Sequence, residues 1–275
     1  MGSVRIGIFD SGYGGLTIYR AIRERLPEHD CVYLGDNART PYGHRSFETV
    51  YRFTAQAVRF LFTRDCALVV VACNTASARA LRTVQQTLLP SLAPDRRVLG
   101  IIRPSVEALG RERAWRTVAL WGTPGTVSSD SYALELAKLR PDLRLVQVPC
   151  PLLVPLVENG ELAGPGLDYF LRKYWAATQE RASDVDALLL ACTHYPLLIE
   201  PIREVVPERL CVLAQGAIVA PSLADYLSRH PEIEARLTRE GTTQFLTTDV
   251  SEAFDRLAEL FLGHAVSSER VDLEG

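Results

Sequence analysis

Two stretches of the chain are apolar without alternation, Leu68-Val69-Val70-Val71-Ala72 and Ala187-Leu188-Leu189-Leu190-Ala191. A strand with one face in water alternates apolar and polar residues, so a run apolar on both faces must be covered on both. That confines the chain to a parallel sheet flanked by helical crossovers. Further β-branched and aliphatic runs place strands at Val4–Phe9, Cys31–Leu34, Ala67–Ala72, Val98–Ile102, Val118–Trp121, Leu145–Val148, Ala187–Leu190 and Cys211–Leu213. Helical spacing lies between them. Leu16–Leu26 puts Leu16, Tyr19, Ile22 and Leu26 on one face, and Phe47–Phe62 follows Ser46, a suitable N-cap. Ser128–Leu139 reads as one helix through Tyr132, Leu136 and Leu139. Leu167, Phe170, Leu171 and Tyr174 form another stripe. Asp249 is placed to cap a last helix with Phe254, Leu257, Leu260 and Phe261 inward. Strand–helix alternation throughout gives an α/β fold.

The 275 residues allow one large α/β domain or two modest ones. A net charge of −3, with both signs mixed along the chain, gives no basic block and no expectation of nucleic acid. The first residues run straight into a strand, and no apolar run approaches the ~20 residues that span a bilayer. A cytoplasmic protein with no membrane partner is expected. The six cysteines, Cys31, Cys66, Cys73, Cys150, Cys192 and Cys211, are scattered with no CxxC pair. Neither a disulfide framework nor a structural zinc site is expected, and most of these thiols read as small buried hydrophobes.

The two halves echo each other. Ile8-Phe9-Asp10-Ser11-Gly12 leads to Val71-Ala72-Cys73-Asn74-Thr75, and Leu120-Trp121-Gly122-Thr123-Pro124 leads to Leu190-Ala191-Cys192-Thr193-His194. Each half has a strand ending in a small polar turn, then a strand ending in Ala-Cys and two polar residues. Ligands of parallel sheets sit beyond the carboxyl ends of strands. The glycines of Asp10-Ser11-Gly12-Tyr13-Gly14-Gly15 permit a tight turn before a helix, but the pattern is neither a GxGxxG nor a GK[ST] fingerprint. Cys73 opens a helix, where the dipole favours thiolate. Cys192 repeats that context, with Pro196 suited to a first helical turn and His194 available for acid–base work. Taken singly, each cysteine reads as packing. Taken together, they read as a pair of catalytic thiols. Gly43, beside Tyr42, can offer a backbone N–H to a carboxylate; a Pro-led turn is the plainer account. Glu158 ends a short helix.

The segments IGIFDSGYGGLT (6–17), YLGDNARTPYG (33–43), ACNTASA (72–78), GTPGTVS (122–128), VPLVE (154–158) and ACTHYPLL (191–198) keep chain order and resemble the glutamate racemases of the aspartate/glutamate racemase family. The resemblance implies two α/β domains related by a pseudo-twofold axis, with the active site in the cleft between them: residues 1–98 plus 210–275, and residues 99–209. It implies Cys73 and Cys192 as acid/base residues, with Asp10, His194 and Glu158 supporting them. Asp10, Ser11, Tyr42, Gly43, Asn74, Thr75, Thr193 and His194 would bind substrate. No cofactor and no metal are implied. The partner is glutamate, and the product D-glutamate serves bacterial peptidoglycan. Racemisation of aspartate by the same scheme is the nearest alternative. Some relatives are associated with inhibition of DNA gyrase, and a second role of that kind is compatible with the motifs, as is a homodimer. The chain departs from the family in two places. Arg103-Pro104-Ser105 stands where Glu-Pro-Gly is common, and Ala214-Gln215-Gly216 where Asp-Ser-Gly is common. These departures are expected to bear on interdomain contacts and regulation rather than on the chemistry.

An α-hydrogen is a very weak acid, and inverting the carbon needs proton removal on one face and delivery on the other. Two fixed groups need no movement between faces. One must start as thiolate and the other as thiol.

Overall fold

The computed structural model describes residues 4–273. Strands β1 (Arg5–Asp10), β2 (Cys31–Gly35), β3 (Cys66–Val71) and β4 (Arg97–Gly100) belong to one sheet. β5 (Thr117–Gly122), β6 (Arg144–Pro149), β7 (Ala187–Ala191) and β8 (Cys211–Ala214) form a second. β9 (Thr243–Thr247) and β10 (Ser268–Arg270) return to the first. The order is β10-β9-β2-β1-β3-β4 in one sheet and β6-β5-β7-β8 in the other. Adding four to each label of β2-β1-β3-β4 gives the second sheet, so the echo between the halves is a repeat of topology. All strand pairs are parallel.

The two apolar runs behave as their composition demands. Every residue of β3 and β7 is buried. Leu68 and Val70 enter one core and Val69 and Val71 another, while Leu188 and Leu190 face away from Leu189. Burying each such side chain contributes about 1.5–3 kcal/mol. One core cluster takes residues from both sheets, among them Ile6, Ile8, Trp121 and Leu190, so the two lobes share apolar packing.

Several boundaries differ from expectation. β4 stops at Gly100 and Ile102 already starts a helix, Ile102–Arg111. Ser128–Leu139 is two helices, Pro124–Ser128 and Ser131–Leu139, broken at Asp130, whose φ of +53° is left-handed. Asp249 does not cap the last helix. That helix is Ser251–Leu262 with Val250 at the cap position, and the Asp249 carboxylate accepts only from its neighbour Val250 N–H, at 2.8 Å. Leu260 faces solvent rather than the core. Ser46 caps Phe47–Thr63 as read, its hydroxyl accepting from Thr49 N–H. Strand pairing places Leu99–Gly100 in the first sheet and Cys211–Ala214 in the second. The crossings between sheets therefore fall at Ile101 and Gln215, a few residues beyond the division read from the sequence. We keep two lobes as our proposed domain division, with the crossings moved to those residues. Among the described residues no helix is long and apolar enough to cross a membrane.

A buried polar contact ties β5 to a helix of the second lobe, Pro165–Gln179. The indole N–H of Trp121, on β5, donates to the Thr178 hydroxyl at 2.9 Å, and that hydroxyl donates to the Tyr174 carbonyl at 2.9 Å. Thr178→Val keeps the volume and strands the indole. It is expected to destabilise the protein by about 1–3 kcal/mol, and in urea titrations the same substitution should cost less in a Trp121→Phe background, which has no indole donor to strand.

Candidate active site

The loops that leave β1, β2, β3, β5, β6 and β7 at their carboxyl ends converge on one cavity enclosing about 660 Å³, part of it open to solvent. Its wall includes Ser11, Tyr42, Gly43, Cys73, Asn74, Thr75, Cys192, Thr193 and His194. Of the eleven positions singled out in the sequence, only Asp10 and Glu158 are not on that wall. Cys73 and Cys192 come from topologically equivalent strands of different sheets. They are 6 % and 5 % exposed, nearly buried and yet on the same wall.

The two sulfurs have different surroundings. Cys73 is the N-cap of the helix Asn74–Arg79; its Sγ accepts from Ala76 N–H at 3.4 Å and lies 3.2 Å from the Ser11 hydroxyl. The helix start was expected to favour thiolate. Burial dominates instead: it pushes the Cys73 thiol up to about 12, with the charge of Asp10 adding to the rise against the hydrogen bonds from Ser11 and Ala76. One short helix cannot offset the desolvation of a sulfur anion. Cys192 has no such helix. Its strand leads into a single 3₁₀ turn, Tyr195–Leu198. Its neighbour is an imidazole, with His194 Nδ1 3.9 Å from Cys192 Sγ and His194 Nε2 2.8 Å from Glu158 Oε1. Burial by itself would lower the His194 imidazolium. The hydrogen bonds and charges of Cys192 and Glu158 outweigh it and hold the group at about 10.

Asp10, expected both to support Cys73 and to touch substrate, lies off the cavity wall. Its carboxylate is 1 % exposed, lies behind the turn, and accepts from Gly12 N–H at 2.8 Å, while Oδ1 has no partner among the described residues. Burial raises its carboxyl above the ordinary range, against the charge of His194 and the N–H groups of Gly12 and Gly15. Glu158, at the end of the helix Leu153–Glu158, stands behind His194 with its side chain 24 % exposed and reaches the sulfur only through the imidazole.

The glycine turn is needed for close approach. A Cβ on Gly14 would sit 2.4 Å from both His194 Nδ1 and the Thr193 hydroxyl, and one on Gly15 would sit 2.5 Å from Asp10 Cβ. Thr17 ties the same turn to the other lobe, its hydroxyl lying 2.9 Å from the carbonyls of both Gly14 and Thr193. Backbones also meet across the cavity, where a Cβ on Gly125 would lie 2.7 Å from the Gly43 carbonyl oxygen. Tyr42 donates its hydroxyl to Asp36, which keeps the phenol from pointing freely into the cavity.

Other wall residues were not singled out individually. Thr123 pairs its hydroxyl with that of Thr75 at 2.9 Å and accepts from Thr126 N–H to cap Pro124–Ser128. The signal for it was present, because Gly122-Thr123-Pro124 follows a strand as Asp10-Ser11-Gly12 does. Thr40, Pro41, His44, Pro124, Pro151, Val154 and Pro155 complete the wall, and the last three come from a proline-rich segment with no chemical signature.

The chain matches the family profile described as Asp/Glu/Hydantoin racemase over residues 7–256. It is 38 % identical to a glutamate racemase of Jannaschia sp. over 97 % of this chain and 99 % of that one. It is 39 % identical to a glutamate racemase of Dinoroseobacter shibae over 97 % and 98 %. Among solved structures, glutamate racemase from Francisella tularensis in complex with D-glutamate superposes with a TM-score of 0.88 at 30 % identity, covering 100 % of this chain and 99 % of that one.

Two outcomes are expected. Gly14→Ala forces a methyl against His194 and should reduce turnover by at least about 100-fold, the scale set by a misplacement near 1 Å, with far-UV circular dichroism unchanged. The second concerns stability and pH. His194 is held at about 10 in the fold against 6.5 for the free side chain, so the folded state binds its proton more tightly. Its contribution is complete below 6.5 and is lost as pH rises through about 10. Urea midpoints should fall across that window, and Glu158→Gln, which removes one cause of the rise, should flatten the fall.

Proposed function

The chain belongs to the Asp/Glu/hydantoin racemase family, and from that premise we propose that it interconverts L- and D-glutamate by proton exchange between the substrate α-carbon and the thiols of Cys73 and Cys192. The observation that carries the reading is the presence of two sulfurs from equivalent strands of two sheets on one cavity wall. Glutamate is preferred to aspartate because glutamate racemases match at 38–39 % identity over nearly the whole chain.

In one direction the Cys192 sulfur takes the α-proton and the Cys73 thiol delivers its own to the opposite face. The protonated His194 balances negative charge at Cys192, and the high affinity of Cys73 for its proton keeps it a thiol until the carbanion draws that proton away. After one turnover the roles are exchanged, and the enzyme is set for the reverse direction. Return to the starting state moves a proton from Cys192 by way of His194 and Glu158, whose carboxylate reaches solvent. Ser11, beside the Cys73 sulfur, is the corresponding relay on the other side. General acid–base transfer contributes about 10²–10⁴-fold. Fixed donors on the wall, Ser11, Asn74, Thr75, Thr123 and Thr193, supply further stabilisation of the negative charge that develops on the substrate. The product would serve the assembly of peptidoglycan.

Cys73→Ala and Cys192→Ala are each expected to abolish racemisation of glutamate while leaving the fold intact. In deuterium oxide, each variant should introduce deuterium at the α-carbon of only one enantiomer, the one whose face the remaining thiol serves, as read by proton NMR. Full racemase activity in either variant would end the two-thiol scheme, and faster turnover of aspartate than of glutamate would end the substrate assignment.

A further inference from the structure

The two segments that depart from the family pattern meet in space, Ser105 on Gln215, and Gln215 in turn reaches Asn74, the residue after Cys73. The Asn74 carboxamide is held in a closed ring of hydrogen bonds. Its Nδ2 donates to Gln215 Oε1 at 2.6 Å, Gln215 Nε2 donates to the Tyr132 hydroxyl at 2.8 Å, and that hydroxyl donates to Asn74 Oδ1 at 2.6 Å. Gln215 Nε2 also donates to the Ser105 hydroxyl at 2.8 Å, and Ser105 donates in turn to the Ile101 carbonyl at 2.7 Å. All four side chains are buried. Gln215 and Ile101 are the residues at which the chain crosses between the two sheets. The departures thus lie where the two sheets are joined, as expected, and through Gln215 they also reach the residue after Cys73.

A ring of two carboxamides and a phenol can run in either sense. Flipping both amides reverses every donor and acceptor and leaves the ring closed. Ser105 breaks this degeneracy. Its proton is committed to the Ile101 carbonyl, so toward Gln215 it can only accept, and Gln215 must present its NH₂ group. That fixes the Gln215 carbonyl toward Asn74 Nδ2 and the Tyr132 proton toward Asn74 Oδ1. The second Asn74 N–H has no partner among the described residues, and Asn74 lies on the cavity wall.

We propose that Ser105 and Gln215 are positioning residues that set the sense of this ring, so that Asn74 presents an N–H donor to a carboxylate of the bound substrate beside Cys73. The proposal rests on the racemase reading above. It gives the paired occurrence of Ser105 and Gln215 a reason. Glycine at 105 has no hydroxyl to set the sense, and serine at 215 is too short to bridge Asn74, Tyr132 and Ser105 together.

The test uses the whole protein. Gln215→Leu, which opens the ring, should raise KM for glutamate by about tenfold, the worth of one aligned hydrogen bond to a charged group, and Ser105→Ala, which leaves two senses of similar population, by about twofold, with kcat little changed because the same donor serves ground and transition states. In an Asn74→Ala background neither substitution should raise KM further, since both act through Asn74. A merely structural role predicts effects that add to that of Asn74→Ala and follow the loss of stability. A readout independent of activity is the side-chain amide pair of Asn74 in ¹⁵N-asparagine-labelled protein, assigned by its loss in Asn74→Ala. It should be one slowly exchanging pair in the parent and two sets, or an exchange-broadened pair, in Ser105→Ala. An Asn74 amide unchanged by Ser105→Ala, or KM effects that add, would overturn the proposal. If the parent fails to racemise glutamate, the substrate assignment falls and the amide measurement still decides the ring.

Discussion

Any negative charge that proton exchange places on the Cys192 sulfur, inside a nearly closed cavity, has to be balanced locally, and His194, backed by Glu158, stands beside that sulfur. The imidazole is within reach of both anions, 2.8 Å from the carboxylate and 3.9 Å from the sulfur. Its proton is retained because two negative neighbours outweigh the desolvation that would otherwise expel it. On the opposite side nothing comparable faces Cys73. There burial holds the proton on the sulfur, and the buried Asp10 carboxyl adds to the effect. Two thiols that look equivalent in the sequence echo thereby have different neighbours behind them, the His194 imidazolium beside Cys192 and the buried Asp10 carboxyl near Cys73. An exchange of one proton between two faces requires that inequality, since two thiols or two thiolates could not both take and give.

The balance depends on backbone proximity, and hence on glycine. The turn after β1 must pass under His194 closely enough that no side chain fits at Gly14. The same turn wraps the Asp10 carboxylate and accepts the Thr17 hydroxyl, which also reaches Thr193. One segment of the first lobe therefore sets the position of Asp10 behind Cys73 and of His194 beside Cys192. The groups beside the two sulfurs are thus placed by the backbone of one turn rather than by a flexible side chain.

Much of this was legible in the sequence, for reasons that also mark where legibility stops. The runs at Leu68 and Ala187 dictated two-sided burial, and the match between Ala-Cys-Asn-Thr and Ala-Cys-Thr-His announced a repeat that the strand order reproduces. β9 went unread because Thr-Gln-Phe-Leu-Thr has only two apolar residues and owes its place to pairing with β2 rather than to its own pattern. The break at Asp130 was hidden because Tyr132, Leu136 and Leu139 keep helical spacing after it. The state of Cys73 was misjudged because spacing shows a helix start but not how completely the sulfur is buried. The ring around Asn74 was beyond reach for a similar reason: it and the Ser105 that branches from it come from four distant segments, and each is an ordinary polar residue until the two sheets are packed together.

Among the described residues the cavity wall contains no lysine or arginine, and its basic side chains are His44 and His194. For a substrate with two carboxylates this looks like a missed attraction, but the chemistry favours it. A fixed cation near the sulfurs would pair with the thiolate and make it a weaker base toward a carbon acid that already gives up its proton reluctantly. Hydroxyls and amides held in place by their own partners, as Thr75 is by Thr123 and Asn74 by Gln215 and Tyr132, can orient carboxylates without lowering the basicity of sulfur. Their dipoles are already directed before substrate arrives, so little reorganisation is needed as charge moves onto the α-carbon. The one cation the site requires is the imidazolium, and its opposing carboxylate, Glu158, limits how much it weakens the base it serves.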